Sequence, residues 1–158
     1  MVHPFTGVDH ILAMVAVGLW AAHLGKRAAF ALPLVFPAMM LVGGTLANSG
    51  VSLPAIEPLI AISVITLGVL IAAQIRFSLI ASASLIGLFA TFHGYAHISE
   101  SAGTAVVPYS MGFIASTLVL HLVGVALGIL LTTSSTRAVR TGGSFIALAG
   151  GLLLLASG

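Results

Sequence analysis

Long apolar stretches alternate with short polar breaks along the whole chain. The apolar runs fall at about 8 to 24, 29 to 48, 55 to 75, 78 to 98, 108 to 132 and 142 to 157. Each is close to the ~20 residues a membrane-spanning helix needs. Helix is favoured over strand because the runs are long and continuous, whereas barrel strands would be about 10 residues long with alternating polarity. The predicted fold is therefore all-α: a polytopic membrane protein, built as a bundle of six transmembrane helices and forming one domain over residues 1–158.

Composition agrees with the pattern. Hydrophobic residues make up 59% of the chain and charged residues 5%, with a mean hydropathy of +1.24, against roughly 45 to 50% apolar and about 25% charged in soluble domains. No polar stretch is long enough to fold as a separate soluble unit. Gly43, Gly44, Gly87, Gly124, Gly128, Gly150 and Gly151 read as packing positions, and Gly124 with Gly128 forms a small-xxx-small pair that permits close backbone approach. Pro33 and Pro37 each remove a backbone donor and should bend helix 2. No internal repeat stands out, so symmetry offers no argument for an inverted-repeat transporter.

The few charges orient the bundle. Lys26 and Arg27 follow helix 1, Arg76 follows helix 3, and Arg137 and Arg140 follow helix 5, while the breaks after helices 2 and 4 carry no Lys or Arg. By the positive-inside rule these odd-to-even connections face the cytoplasm and both termini face outward, the expected placement being a bacterial-type cytoplasmic (inner) membrane. The net charge of +2 comes from only five basic residues in short connections, which cannot follow a phosphate backbone, so nucleic-acid binding is not expected. Residues 1 to 10 carry Asp9 and His10 where a cleavable signal needs a basic start and an apolar stretch. The absence of cysteine excludes disulfides, thiolate metal sites and cysteine nucleophiles, leaving imidazole and carboxylate as side-chain ligands.

Those groups gather in two compact strings, HPFTGVDH at 3 to 10 and HGYAHISE at 93 to 100. Ionisable groups in a membrane segment point to function by default, because each costs on the order of 2.5 to 3.5 kcal/mol at mid-bilayer even on the lenient insertion scale. Positions 93, 97 and 100 are spaced by four and three, which puts two imidazoles and a carboxylate on one helical stripe. In the other string, His3 precedes Pro4 and should be extended, Gly7 permits a tight entry into helix 1, and Asp9 and His10 point to adjacent faces. One of these two can face the bundle while the other orients it, since a carboxylate beside a ligating imidazole fixes its tautomer. With both termini outward, the two clusters share the outer half of the bundle, Glu57 lies at their level, His121 is near mid-membrane, and His23 is at the cytoplasmic end. His23 and His121, each taken alone, read as helix-to-helix hydrogen-bonding residues. Glu57 reads equally well as a solvated helix-end group suited to the dipole. Imidazole and carboxylate without thiolate suit Ni²⁺, Co²⁺, Zn²⁺ or Cu²⁺ and disfavour Cu⁺. Met1-Val2-His3 offers an amino terminus, two amides and an imidazole that could wrap Ni²⁺ or Cu²⁺ in a plane.

At HPFTGVDHILAMVAVGLWA, FHGYAHISE and YSMGFIASTLVLHLVG the chain resembles the HupE/UreJ family of membrane proteins, with the likeness spanning helices 1, 4 and 5 in order. The resemblance implies a permease of about six helices that carries nickel, sometimes cobalt, and serves hydrogenase or urease maturation. It implies metal-handling roles for His3, Asp9, His10, His93, His97 and Glu100, with His121 a weaker match. Two departures stand out: Ile98 occupies a position where the family often has a small residue, and the export signal and histidine-rich stretch common in the family are not seen.

The leading expectation is a non-enzymatic Ni²⁺ permease, with Co²⁺ or Zn²⁺ as alternative cargo. The ion would be captured at an outward site by His10, His93 and His97 with help from Asp9 and Glu100, and His121 would serve midway. Its partners would be the divalent ion and the bilayer, with association into homo-oligomers left open. The alternatives use the same residues: an intramembrane zinc-dependent hydrolase and a b-type haem protein with paired histidine ligands.

Overall fold

The structure is a computed structural model that describes residues 7–101 and 106–157; His3 and the Met1-Val2-His3 arrangement lie outside the described residues. Among the described residues six helices follow one another: α1 (Val8–Leu24), α2 (Lys26–Asn48), α3 (Ile56–Ala72), α4 (Leu79–Ser99), α5 (Val106–Ser134) and α6 (Thr136–Ala156). The chain is an all-α polytopic membrane protein. Helices α2, α4, α5 and α6 are long and apolar enough to cross a bilayer. Helices α1 and α3 are equally apolar but have 17 residues each, about 25 Å at 1.5 Å per residue, and sit among the longer ones.

Local chemistry sets the ends. Gly25, at φ 113°, is the single residue between α1 and α2, a backbone conformation that only glycine adopts without strain. Ser78 and Ser135 cap α4 and α6 by accepting the amides of Ala81 and Ala138. Helix α3 ends three residues before the expected boundary, because Gln74 takes a left-handed conformation (φ 58°). There Gln74 N–H donates to Ile71 O and Ile75 N–H donates to Leu70 O, a Schellman stop. Two expected boundaries are corrected in the other direction: α2 begins at Lys26 rather than 29, and α6 at Thr136 rather than 142. The Ser135 cap starts α6 early, so Arg137 and Arg140 occupy its first two turns rather than a connection.

Three close helix pairs build the bundle: α1 with α5, α2 with α4, and α3 with α6. Glycine lets each pair approach to backbone contact. A Cβ at Gly18 of α1 would meet the His121 carbonyl of α5, one at Gly94 of α4 would meet the Met40 carbonyl of α2, and one at Gly143 of α6 would meet the Ala72 amide of α3. The packing reading holds for Gly43, Gly44, Gly124, Gly128 and Gly150, whereas a Cβ at Gly151 would meet nothing within 4 Å. The core centres on Met14, Trp20, Leu32, Phe36, Met40, Leu67, Ile86 and Phe113. Outside, Leu122, Leu130, Phe145, Leu148, Leu152 and Leu155 are exposed, a surface that suits lipid. Helix α2 continues through Pro33 and Pro37, and with no N–H at 37 the Pro33 carbonyl lacks its usual helical donor.

Charge is sorted by end. Arg76 Nη2 donates to Leu24 O at 3.4 Å and Arg140 Nε to Ala72 O at 3.2 Å, which brings the α1–α2, α3–α4 and α5–α6 connections together. Trp20 Nε1 (to Ile75 O, 3.0 Å) and His23 Nε2 (to Gln74 O, 3.4 Å) tie α1 to the same corner, so His23 is bonded to the α3–α4 connection rather than to a neighbouring helix. All five cations lie at this end. The carboxylates Asp9, Glu57 and Glu100 lie within electrostatic reach of one another at the opposite end.

Candidate metal-handling site

The first turn of α1 and the last two turns of α4 meet at the carboxylate end. His10 opens α1 and is 7% exposed, while His93 and His97 on α4 are 0% and 1% exposed. The i, i+4 spacing stacks the two α4 imidazoles on one face, and His10 is set against both. Its ring centroid is 4.9 Å from that of His93, edge to face, and 4.5 Å from that of His97, tilted by 55°. Behind them, His97 stacks flat on Phe113 of α5 (5.0 Å, 6°). The two sequence strings, more than eighty positions apart, therefore bring three imidazoles into one buried cluster.

Asp9 does not point into this cluster as a separate arm. Its Oδ1 lies 3.1 Å from His10 Nδ1, where it can accept the ring proton and orient the imidazole. His10 Nε2 is buried with no hydrogen-bond partner among the described residues. Glu100, the C-cap of α4, and Glu57, in the first turn of α3, are both exposed. The site thus has a rim of negative charge over a floor of neutral-capable imidazoles, a field that concentrates cations at its mouth.

His121 stands apart. Its carbonyl faces Gly18, eight residues along α1 from His10, which places it about 12 Å deeper. Phe36 lies between the two levels, with its ring 5.5 Å from His93 and 5.1 Å from His121. His121 is fully buried, and its ring nitrogens make no well-formed hydrogen bond among the described residues, although the Pro33 backbone is near enough to act on the ring. Among the described residues, no three His, Asp or Glu side chains are set so that they could already hold one metal ion; the rings instead pack edge to face and tilted.

Ser63 of α3 is the participant that sequence reasoning missed. It is fully buried, donates to Ile60 O at 2.7 Å, and has His93 Nε2 at 3.0 Å. A lone serine in the apolar run LIAISVITLGVL carries no spacing signal that ties it to a histidine thirty positions later. Tyr95 lies inside the second string; its hydroxyl donates to Val51 O at 2.9 Å and accepts Leu53 N–H at 3.3 Å, pinning the α2–α3 connection beside the site.

Comparison with known proteins matches the amino-acid sequence to a family. Residues 1–153 match the family described as HupE / UreJ protein. The chain is 41% identical over 155 residues to Protein HupE of Rhizobium leguminosarum bv. viciae, an alignment covering 97% of this chain and 81% of that protein. No solved structure matches. With the family matched over nearly its whole length, the chain belongs to the HupE/UreJ family.

Proposed function

We propose that this protein is a permease for divalent nickel, with cobalt as a secondary cargo, that supplies hydrogenase or urease maturation and works as a single six-helix domain. The observation that carries this reading is the buried trio of His10, His93 and His97 beneath the Asp9, Glu57 and Glu100 carboxylates. The rim draws a divalent cation in, and the imidazoles supply borderline nitrogen donors. Capture requires the packed rings to rotate until their lone pairs converge. That labile arrangement suits transport, where an ion must be released as readily as it is bound. Below the trio, His121 is the next donor inward. His3, ahead of α1, joins the outer ligands in this scheme.

The test is uptake of radioactive Ni²⁺ into proteoliposomes carrying the purified protein, against empty liposomes. Saturable uptake is expected. Its absence, with stoichiometric metal retained by the purified protein, would overturn the permease and favour a resident-metal role.

The mouth of the site faces outward in this scheme, and the cluster of five cations faces the cytoplasm of a bacterial cell. Arg137→Cys should therefore react with a membrane-impermeant thiol reagent only when the inner face is open to it. Labelling from outside intact cells would invert the topology.

A further inference from the structure

Two contacts of Ser63 determine the protonation pattern of His93. The Ser63 Oγ to Ile60 O separation is 2.7 Å. A carbonyl can only accept, so a proton must lie between these oxygens, and the only one available is that of the serine hydroxyl. The Ser63 Oγ to His93 Nε2 contact at 3.0 Å must then use the imidazole's own proton, with Nε2–H donating to a serine lone pair. A neutral imidazole has a single N–H, which leaves the lone pair of His93 on Nδ1. That atom is buried and has no hydrogen-bond partner among the described residues. His10 shows the mirror arrangement: Nδ1 faces Asp9 and Nε2 has no hydrogen-bond partner among the described residues. The two rings lie 4.9 Å apart, edge to face.

We propose that Ser63 is a positioning residue that holds His93 as the Nε2–H tautomer and so presents His93 Nδ1, together with His10 Nε2, as the pair of nitrogens that receives the metal ion. This deepens the nickel-permease reading and rests on it for the identity of the cargo, whereas the tautomer assignment stands on the hydrogen-bond geometry alone. The bland alternative is that Ser63 merely satisfies its hydroxyl on its own helix and fills space beside His93. In that case the imidazole would be indifferent to the hydroxyl's loss.

The experiment uses the full-length protein with ¹⁵N-labelled histidine. The His93 resonances are assigned by their disappearance in His93→Gln and compared in wild type, Ser63→Ala and Ser63→Thr, with nickel uptake kinetics in proteoliposomes alongside. Wild type and Ser63→Thr should give a protonated Nε2 and an unprotonated Nδ1, while Ser63→Ala should give a mixture of tautomers. The half-saturating nickel concentration should rise about tenfold or more in Ser63→Ala, in the ~10–100-fold range that loss of a ligand-orienting partner costs. Ser63→Thr, which retains the hydroxyl, should restore it to near wild type. A protonated Nδ1 in wild-type His93 would overturn the proposal even if Ser63→Ala failed to fold. Equal half-saturation in wild type and Ser63→Ala would overturn the functional part. If wild type took up no nickel while the tautomer result held, the permease reading would be what failed.

Discussion

His97→Phe is expected to leave the bundle folded and to lower nickel uptake by about a hundredfold or more. The reasoning separates what the ring packs from what its nitrogens do. His97 is 1% exposed and lies flat against Phe113, with centroids 5.0 Å apart and planes 6° from parallel. Phenylalanine keeps an aromatic ring against Phe113 and is somewhat larger than imidazole, so it leaves no void: the cavity cost of an alanine replacement, about 3 to 5 kcal/mol for a large buried ring, gives way to a smaller overpacking cost of about 1 to 3 kcal/mol. Both ring nitrogens are lost. Deleting a donor atom should cost at least as much as deleting a group that merely orients one, which is about 10- to 100-fold. Elution as a single species in detergent with unchanged helicity, combined with collapsed uptake, is the expected pair of results. Wild-type uptake by His97→Phe would remove the trio from the transport path, and if His93→Ala also transported normally the proposed pathway would be wrong.

The second large effect concerns the scaffold. Gly94→Ala should destabilise the protein by about 1 to 3 kcal/mol, the usual range for overpacking a tight interior, and should reduce uptake as well. The new methyl group would run into main-chain atoms of Met40 rather than a side chain that could swing away, so α2 and α4 must separate. The same seam is tight from the other side, where a Cβ at Gly43 would meet the Thr91 carbonyl. Position 94 adjoins His93, and the opposing helix carries Phe36, so separating the helices shifts the floor of the site. The matched control is Gly151→Ala. A Cβ there meets nothing within 4 Å, so the substitution should be neutral or stabilising by up to about 1 kcal/mol, as alanine is the better helix former. Thermal unfolding in detergent, followed by loss of monodisperse protein, checks both. Equal stability of the two variants would refute the close α2–α4 contact.

Much of the candidate site is legible in the sequence because its signals are local. The 93, 97, 100 spacing needs only the helical repeat to place those side chains on one stripe, and His10 beside Asp9 needs only adjacency. Helix ends were legible where apolarity changes abruptly. They were misplaced where a cap overrides composition: Ser135 starts α6 through TRAVRTGG, a stretch polar enough to read as a connection. Asp9 illustrates a finer limit. Its type suggested both a ligand and an orienting partner, and the 3.1 Å contact with His10 Nδ1 favours the second.

Apolar run length and the side on which Lys and Arg fall are properties of the linear chain, so the all-helical membrane architecture and the two histidine-bearing strings followed from residue order. The pairing of α1 with α5, α2 with α4 and α3 with α6, the interposition of Phe36 between His93 and His121, and the contact of Ser63 with His93 did not. These depend on which glycine meets which backbone when apolar helices with almost interchangeable surfaces are packed. In an interior where nearly every residue is greasy, periodicity says little about which face meets which neighbour, and only the packed bundle decides which nitrogen of which histidine is left open.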